Sequence, residues 1–228
     1  MRFIRKLHKW LGLLLLVQVL IWIGSGLLLS FTDSSEVGGR TTRFPAYETF
    51  PLLNQFPVLP VTALDLPAGP IHQVQLRRLL STLVYRVQTN RGWLMFDAKS
   101  GQAMTVEQEL AANIAQDSYS GKGAQLGTAY LAQGTIEVPD YQGAVWRIDF
   151  ADEINTRAYV AASDGRLLEH RNDSWELADF LLMLHFMDYG RTGGFNTVQI
   201  ILFGFAQLWL AISGALLVVQ AIRKRKFI

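Results

Sequence analysis

Cysteine is absent from this chain of 228 residues. Its absence excludes disulfide bonds, cysteine-ligated iron–sulfur clusters, thiolate nucleophiles and covalent attachment of c-type haem through a C-x-x-C-H motif. The sequence also lacks an H-E-x-x-H zinc motif, a glycine-rich phosphate loop and a serine–histidine pair of the kind that hydrolases use. Hydrolase and nucleotide chemistry therefore have no support in the sequence.

Charge is missing from two long apolar runs, one near each end of the chain. The first, residues 10–31, reads WLGLLLLVQVLIWIGSGLLLSF, and the second, residues 198–222, reads VQIILFGFAQLWLAISGALLVVQAI. Each exceeds the roughly 20 residues with which a helix crosses a bilayer core of about 30 Å. The first run is too long for the apolar part of a signal peptide. We therefore predict one membrane-spanning helix within residues 1–31 and a second over residues 197–222.

Acidic residues are missing from both ends, because all nineteen lie between the two runs. Four basic residues precede the first run and four lie in the tail 223–228: Arg2, Arg5, Lys6, Lys9, Arg223, Lys224, Arg225 and Lys226. By the positive-inside rule both termini face the cytoplasm. The pattern predicts a bacterial inner-membrane protein with its middle region in the periplasm. The basic clusters flank membrane lipid and do not indicate nucleic-acid binding.

The region between the runs divides into a linker and a folded domain. Residues 32–70 are rich in Gly, Pro, Thr and Ser, whereas residues 71–172 contain regular strand patterns. The predicted strands are 83–88, 92–97, 102–105, 144–150, 156–161 and 166–170, and the predicted helices are 74–82, 107–116 and 127–133. The segments VYRVQ–GWLMFDAKSGQAMT and VWRIDF–TRAYVAASDGRLLEH align as an internal repeat. We therefore predict an α+β domain of two similar halves, each an antiparallel meander preceded by helical sequence.

A histidine stands in the most apolar stretch of the middle region. Residues 173–189 read DSWELADFLLMLHFMDY, with His185 among leucine, methionine and phenylalanine and with Asp173 and Glu176 spaced as a helix-capping pair. The pattern predicts an apolar helix next to the membrane. Its imidazole needs a partner, which a carboxylate, a backbone carbonyl, water or a metal can supply. Asp188, three positions later, is placed to orient the ring.

A second histidine, His8, opens the first apolar run in the motif LHKWLGL, and Gly12 one turn later leaves space beside it. An interfacial histidine among basic neighbours and a metal ligand both remain open for this position. The two runs also share a small-residue pair, in WIGSGLLLS and AISGALLVV. Because small residues let membrane helices approach closely, we predict helix packing as the role of these pairs.

These motifs carry a family resemblance over nearly the whole chain. The repeated meander ending in A-x-S/D-G resembles the PepSY domain. The opening LHKWLGLLLL…SGLLLSF and the close LHFMDYGRTGGFN…SGALLVV resemble the PepSY-associated transmembrane family. Larger members of that family have four or more spans and include haem-carrying reductases of ferric siderophores. Two-span relatives are linked to the reduction of periplasmic iron(III) that feeds ferrous iron uptake.

The resemblance implies a function and the residues that carry it. His8 and His185 match the L-H positions expected to be the axial ligands of haem b, and His170 and Asp188 are further candidates near the iron or its ligands. The implied activity is a ferric reductase that takes electrons from a cytoplasmic or quinol donor and passes them to periplasmic ferric iron or a ferric chelate. The alternative is a non-catalytic, membrane-tethered PepSY module that regulates a peptidase or assists a transporter.

The two candidate ligands lie at different depths. His8 is at the cytoplasmic end of the first span, and His185 precedes the second span on the periplasmic side. About 20 residues of helix separate these levels by roughly 30 Å, so one iron cannot bind both histidines of one chain. A two-fold homodimer brings each histidine opposite its copy. We therefore predict a four-helix membrane bundle with one or two haems b per dimer.

Overall fold

The computed structural model describes residues 2–44, 57–194 and 196–223 and divides the chain into two compact units. The first unit joins the two ends of the chain, Met1–Thr32 and Glu176–Ile228. The second unit is the middle region, Asp33–Trp175. Each unit has its own architecture.

Two long apolar helices dominate the first unit. Helix α1 spans Arg2–Leu29 and helix α5 spans Val198–Arg223. Both are long and apolar enough to cross a membrane, and only 6% of the most apolar window of each is buried. Leucine, isoleucine, valine, phenylalanine and tryptophan side chains therefore cover the outer surfaces of both helices. An exposed surface of this composition matches the hydrocarbon of a bilayer, as the two apolar runs predict.

The two helices pack against each other in opposite directions. A Cβ built on Gly12 would lie 3.9 Å from Leu210, and His8 contacts Ser213 further along α5. Among the 28 described residues of α1 and the 26 of α5, the only buried ones are Ser25 and Ser213. Each of these helices thus buries a serine and leaves its large apolar side chains at the surface, which is the reverse of a helix in a water-soluble protein.

Helix α4, Asp173–His185, corresponds to the predicted apolar helix. Its cap lies one residue earlier than predicted, because Asn172 Oδ1 accepts the hydrogen bond from the Trp175 N–H at 2.8 Å. Asp173 instead accepts a hydrogen bond from the Asn155 amide. The helix also ends four residues before the predicted 189. Met187 adopts φ 52°, a left-handed conformation that stops the helix at this point.

The second unit contains two four-stranded antiparallel sheets, and in each sheet the strands follow one another in chain order. The first sheet is β1 Ile71–Leu79, β2 Thr82–Thr89, β3 Gly92–Asp97 and β4 Ala103–Met104, and the second is β5 Ala124–Leu131, β6 Val145–Ala151, β7 Arg157–Ala161 and β8 Leu167–Arg171. Helix α3, Gln108–Ser118, joins the two sheets. The predicted α+β domain with antiparallel meanders in both halves is thus confirmed.

Two predicted helices are wrong. Residues 74–82 belong largely to β1, and residues 127–133 belong largely to β5. Both strands are at the edge of their sheets and have no buried residue, so neither shows the alternation that marks a half-buried strand. Each half is therefore a four-stranded meander, and α3 is the helical element that directly precedes the second, whereas the 3₁₀ turn Val61–Ala63 is the last one described before the first.

The predicted linker, residues 32–70, contains local structure. Helix α2 spans Ser34–Val37, and 3₁₀ turns span Arg40–Thr42 and Val61–Ala63. The Asp33 side chain caps α2 by accepting a hydrogen bond from the Ser35 N–H at 2.8 Å. Residues 45–56 of the predicted linker lie outside the described residues.

One hydrophobic core is common to both sheets and α3. Val84 and Met95 of the first sheet join Ile148 and Phe150 of the second, and Ile114 of α3 packs in the same cluster. The opposite faces of the sheets are covered too, and each carries a cluster of its own. The inner strands β2, β3, β6 and β7 are consequently buried on both faces.

A buried ion pair connects the two sheets. Arg86 of β2 donates from Nε to Asp164 Oδ2 at 3.0 Å, and its terminal nitrogen contacts the same oxygen. Asp164 lies in the turn between β7 and β8 with a side-chain exposure of 0%, against 12% for Arg86. A charge so deeply buried is tolerated only when its partner stays in place.

We expect Asp164→Ala to lower the free energy of unfolding by about 3–5 kcal/mol, because it leaves the Arg86 guanidinium without its carboxylate in the interior. Thermal unfolding of the full chain in detergent micelles, followed by far-UV circular dichroism, measures the loss. The matched control is Arg86→Met with Asp164→Leu, which removes both charges and should destabilise the chain less than Asp164→Ala alone. An Asp164→Ala chain as stable as the wild type would contradict this account.

Candidate functional site

His8 rests on a serine–glycine pair of the opposite helix. Its Nδ1 lies 2.7 Å from Ser213 Oγ on α5. A Cβ built on the adjacent Gly214 would lie 3.3 Å from His8 Cε1, closer than an ordinary van der Waals contact. The imidazole thus occupies space that is open because residue 214 has no side chain.

His185, at the end of α4, repeats this arrangement on α1. Its Nδ1 lies 3.1 Å from the Trp22 carbonyl oxygen and 3.3 Å from Ser25 Oγ. A Cβ on Gly26 would lie only 2.7 Å from His185 Cε1. The Trp22 ring stacks on the imidazole with centroids 5.4 Å apart and planes 16° from parallel. Ser25, Gly26 and Trp22 therefore hold the ring from three sides.

The hydrogen bonds at Nδ1 differ between the two rings. A carbonyl oxygen only accepts, so Nδ1–H of His185 donates to the Trp22 carbonyl. The partner of His8 Nδ1 is the Ser213 hydroxyl, which can donate or accept. Within residues 2–44, 57–194 and 196–223, Nε2 of His8 and of His185 makes no hydrogen bond. When Nδ1 is the donor, the lone pair of the ring lies on Nε2.

The two imidazoles lie at separate levels. His185 contacts α1 between Trp22 and Gly26, and His8 lies near the start of the same helix. At a rise of about 1.5 Å per residue, that stretch of α1 places the two rings about 21–27 Å apart along the axis. The separation agrees with the expectation that one iron cannot bind both histidines of one chain.

The serine–glycine pairs do more than the helix packing predicted for them, because each receives a histidine. The sequence signal for these histidine contacts is the occurrence of two L-H motifs together with two S-G pairs. The two serine hydroxyls that contact these histidines also lie within hydrogen-bond distance of a carbonyl oxygen of their own helix. Gly12, predicted to leave space beside His8, has Leu210 as its near neighbour.

Asp188 organises the loop after α4. Its Oδ1 accepts hydrogen bonds from the Thr192 N–H at 2.9 Å and hydroxyl at 2.8 Å, and its Oδ2 accepts one from the Gly193 N–H at 2.9 Å. The backbone hydrogen bond from Thr192 lowers the pKa of this carboxyl the most, and the bonds from the Thr192 hydroxyl and from Gly193 add to it. In the described chain Asp188 makes its hydrogen bonds within the loop, and the Trp22 carbonyl and Ser25 orient His185.

The two remaining histidines have other surroundings. His170 of β8 is only 1% exposed, and its Nε2 lies 2.9 Å from Ser118 Oγ at the end of α3. Burial lowers the pKa of His170 to about 4, with the positive charge of Arg43 acting in the same direction, so the ring is neutral at pH 7. His72 is exposed and its ring contacts the Asn90 side chain. His170 fastens α3 to β8 and is not presented to a ligand.

No group of three or more histidine, cysteine, aspartate or glutamate side chains that could hold a metal ion exists within the described ranges. Each level offers one imidazole whose Nε2 makes no hydrogen bond within the described residues, and imidazole is a ligand of haem iron. A haem held by two imidazoles at one level would need a second copy of the chain.

We expect Gly26→Ala to destabilise the full chain by about 1–3 kcal/mol, since the new methyl group would overlap the His185 ring and push it from the Trp22 carbonyl. Gly24→Ala is the matched control, because a Cβ there meets nothing within 4 Å and alanine favours the helix. Thermal unfolding in detergent micelles compares the two. Equal stability of both variants would show that the ring moves aside without losing its contacts.

A scan against models of known protein families found no match to this chain, and neither did searches of curated proteins and of solved structures. The resemblance to the PepSY-associated transmembrane family therefore stays a prediction from the motifs. The contacts of His8 and His185 support a function independently of that resemblance.

Proposed function

We propose that this chain is an inner-membrane b-type haem protein that passes electrons across the membrane and reduces periplasmic ferric iron. The observation that carries the proposal is the state of the two imidazoles. Nδ1 of each imidazole is hydrogen-bonded to a neighbouring helix, and for His185 the partner is a carbonyl, so Nδ1–H donates and Nε2 carries the lone pair. Metal-ligating histidines are held in this way, because the bond from Nδ1–H orients the ring and raises the basicity of Nε2.

The chain's residues prepare two haem sites but complete neither alone. His8 would hold a haem at one level, and His185 would hold one at the other. A homodimer with a two-fold axis along the membrane normal would bring each histidine opposite its copy, so that two imidazoles would be available at each level. Two complete sites would give two haems per dimer, the upper value of the predicted one or two. A haem bound there would supply one-electron redox chemistry.

The surroundings of the histidines suit electron transfer within lipid. The exposed apolar side chains of α1 and α5 offer the surface that lipid and a partner bundle would cover. Trp22 covers one face of the His185 ring and limits its rotation. With the termini in the cytoplasm, His8 stands at the side of a cytoplasmic or quinol donor, and His185 stands at the side of the ferric acceptor.

A non-catalytic membrane-tethered module is the second candidate, and the same contacts support it. A buried serine–histidine hydrogen bond between membrane helices is by itself a means of holding them together. On this reading the histidines serve packing, and the domain of two sheets binds a peptidase or a transporter. The colour of membranes enriched in this protein distinguishes the two candidate functions. A haem protein would make the membranes red, with split haem absorption bands, whereas a haem-free module would leave them colourless.

We expect His8→Ala and His185→Ala each to remove the haem of one level, because a symmetric dimer that carries the change loses both ligands there. The double variant should be free of haem. The haem-to-protein ratio and the visible spectrum of purified protein measure the effect. His72→Ala is the control, since the exposed His72 lies outside both sites, and its spectrum should match the wild type. Full haem content in the double variant would contradict the assignment of His8 and His185 as haem ligands.

Mixed dimers test whether the sites are shared between copies. Wild-type and His185→Ala chains with different affinity tags, expressed together and purified through both tags, should hold one haem per dimer where the wild type holds two. Dithionite should still reduce the remaining haem, and transfer from it to ferric citrate should slow sharply. Mixed dimers with His72→Ala chains should behave as the wild type. A haem-loaded monomer that reduces ferric citrate at the wild-type rate would refute the shared sites.

A further inference from the structure

A basic cleft lies in the domain of two sheets, apart from both histidine sites. It has a volume of about 310 Å³ and is lined by strands of the first sheet, the end of α3, the turn before β8 and the segment at residue 43. Five of its lining residues are arginines and two are aspartates: Arg43, Arg77, Arg78, Arg86, Arg166, Asp117 and Asp164. Among the described residues of the lining, guanidiniums therefore outnumber carboxylates.

The carboxylates do not cancel this charge. Asp164 is fully buried and already binds Arg86, and Arg166 Nε lies 3.6 Å from the same oxygen. One carboxylate thus faces two guanidiniums. The carbonyl end of α3 and Asp117 also face the cleft, and a helix C-terminus contributes about half a negative charge. With Arg77 left out of the count, the described lining still has more positive than negative charge.

Two of the arginines are held rigidly. The guanidinium of Arg86 lies 5.3 Å from the centroid of the Trp93 ring, and that of Arg166 lies 5.8 Å from the centroids of both Trp93 and Tyr141. Aromatic support behind a guanidinium restricts its rotation and leaves its N–H groups in a fixed plane. The arginine side chain then loses little conformational entropy when the paired N–H groups of its guanidinium bind an oxyanion.

We propose that this cleft binds a small multivalent oxyanion, with carboxylate or phosphate groups held by Arg166, Arg78 and their basic neighbours. A cleft of this size holds a molecule such as citrate or pyrophosphate. The inference does not rest on the proposed electron transfer, because no haem ligand lines the cleft. The same guanidiniums would bind an anionic metal chelate as well as a free anion.

Calorimetric titration of the full chain in detergent micelles with citrate, and separately with pyrophosphate, tests the proposal. We expect one site per chain for at least one anion, with binding that weakens as salt rises. Arg78→Gln and Arg166→Gln should each weaken that binding about tenfold or more, since each removes a charge-assisted donor. Arg166→Lys should weaken it less than Arg166→Gln, because lysine keeps the charge and loses the fork. The tighter of the two anions identifies the oxyanion group.

The matched control is Lys122→Gln, an exposed change of equal charge outside the cleft lining, which should leave binding unchanged. Thermal unfolding checks that each variant is folded, and Arg78→Gln, at an exposed position, provides the test if Arg166→Gln is not. Arginine variants should keep their haem, and the His8/His185 double variant should keep anion binding. Absence of binding by both anions, or equal loss in Lys122→Gln and the arginine variants, would overturn the proposal.

Discussion

Two hydrogen bonds at imidazole Nδ1 connect the apolar helices of this protein. A polar nitrogen among apolar side chains costs free energy unless it finds a partner, and the neighbouring helix supplies a serine hydroxyl to His8 and a carbonyl to His185. Ser213 and Ser25, which contact these rings, are the buried residues of α5 and α1, and the glycines beside them admit the rings. The placement of α1, α4 and α5 depends on these bonds, and they leave Nε2 of each ring without a hydrogen bond within the described residues.

Partners also accompany buried polar groups in the domain of two sheets. Asp164 is buried with Arg86 beside it, and Nε2 of the buried His170 meets Ser118 while its ring stays neutral. The inner strands are covered on both faces, so the sheets and α3 form one core without disulfides. In the described lining of the cleft the arginines outnumber the carboxylates, and this excess of positive charge would make the cleft a binding surface for an anion.

The two proposals place function at two positions with different chemistry. The histidines would offer imidazole nitrogens in an apolar setting, which suits a haem iron and the passage of electrons. The cleft would offer guanidiniums, which suit an oxyanion. A haem shared between two copies would make dimer formation part of the active state, because each chain would hold half of each site.

The sequence by itself determined the two apolar helices, the inner strands β2, β3, β6 and β7, helix α3 and the two histidines as the residues of interest. These features carry strong local signals: a long run without charge, strands buried on both faces, and an imidazole in apolar surroundings. Only the tertiary structure decided that β1 and β5 are strands, because edge strands with exposed side chains lack a clear period and are set by pairing with a neighbour. It also decided that Ser25 and Ser213 receive the histidines and that Arg86 reaches Asp164, since residues 78 to 205 positions apart meet only when helices and sheets pack.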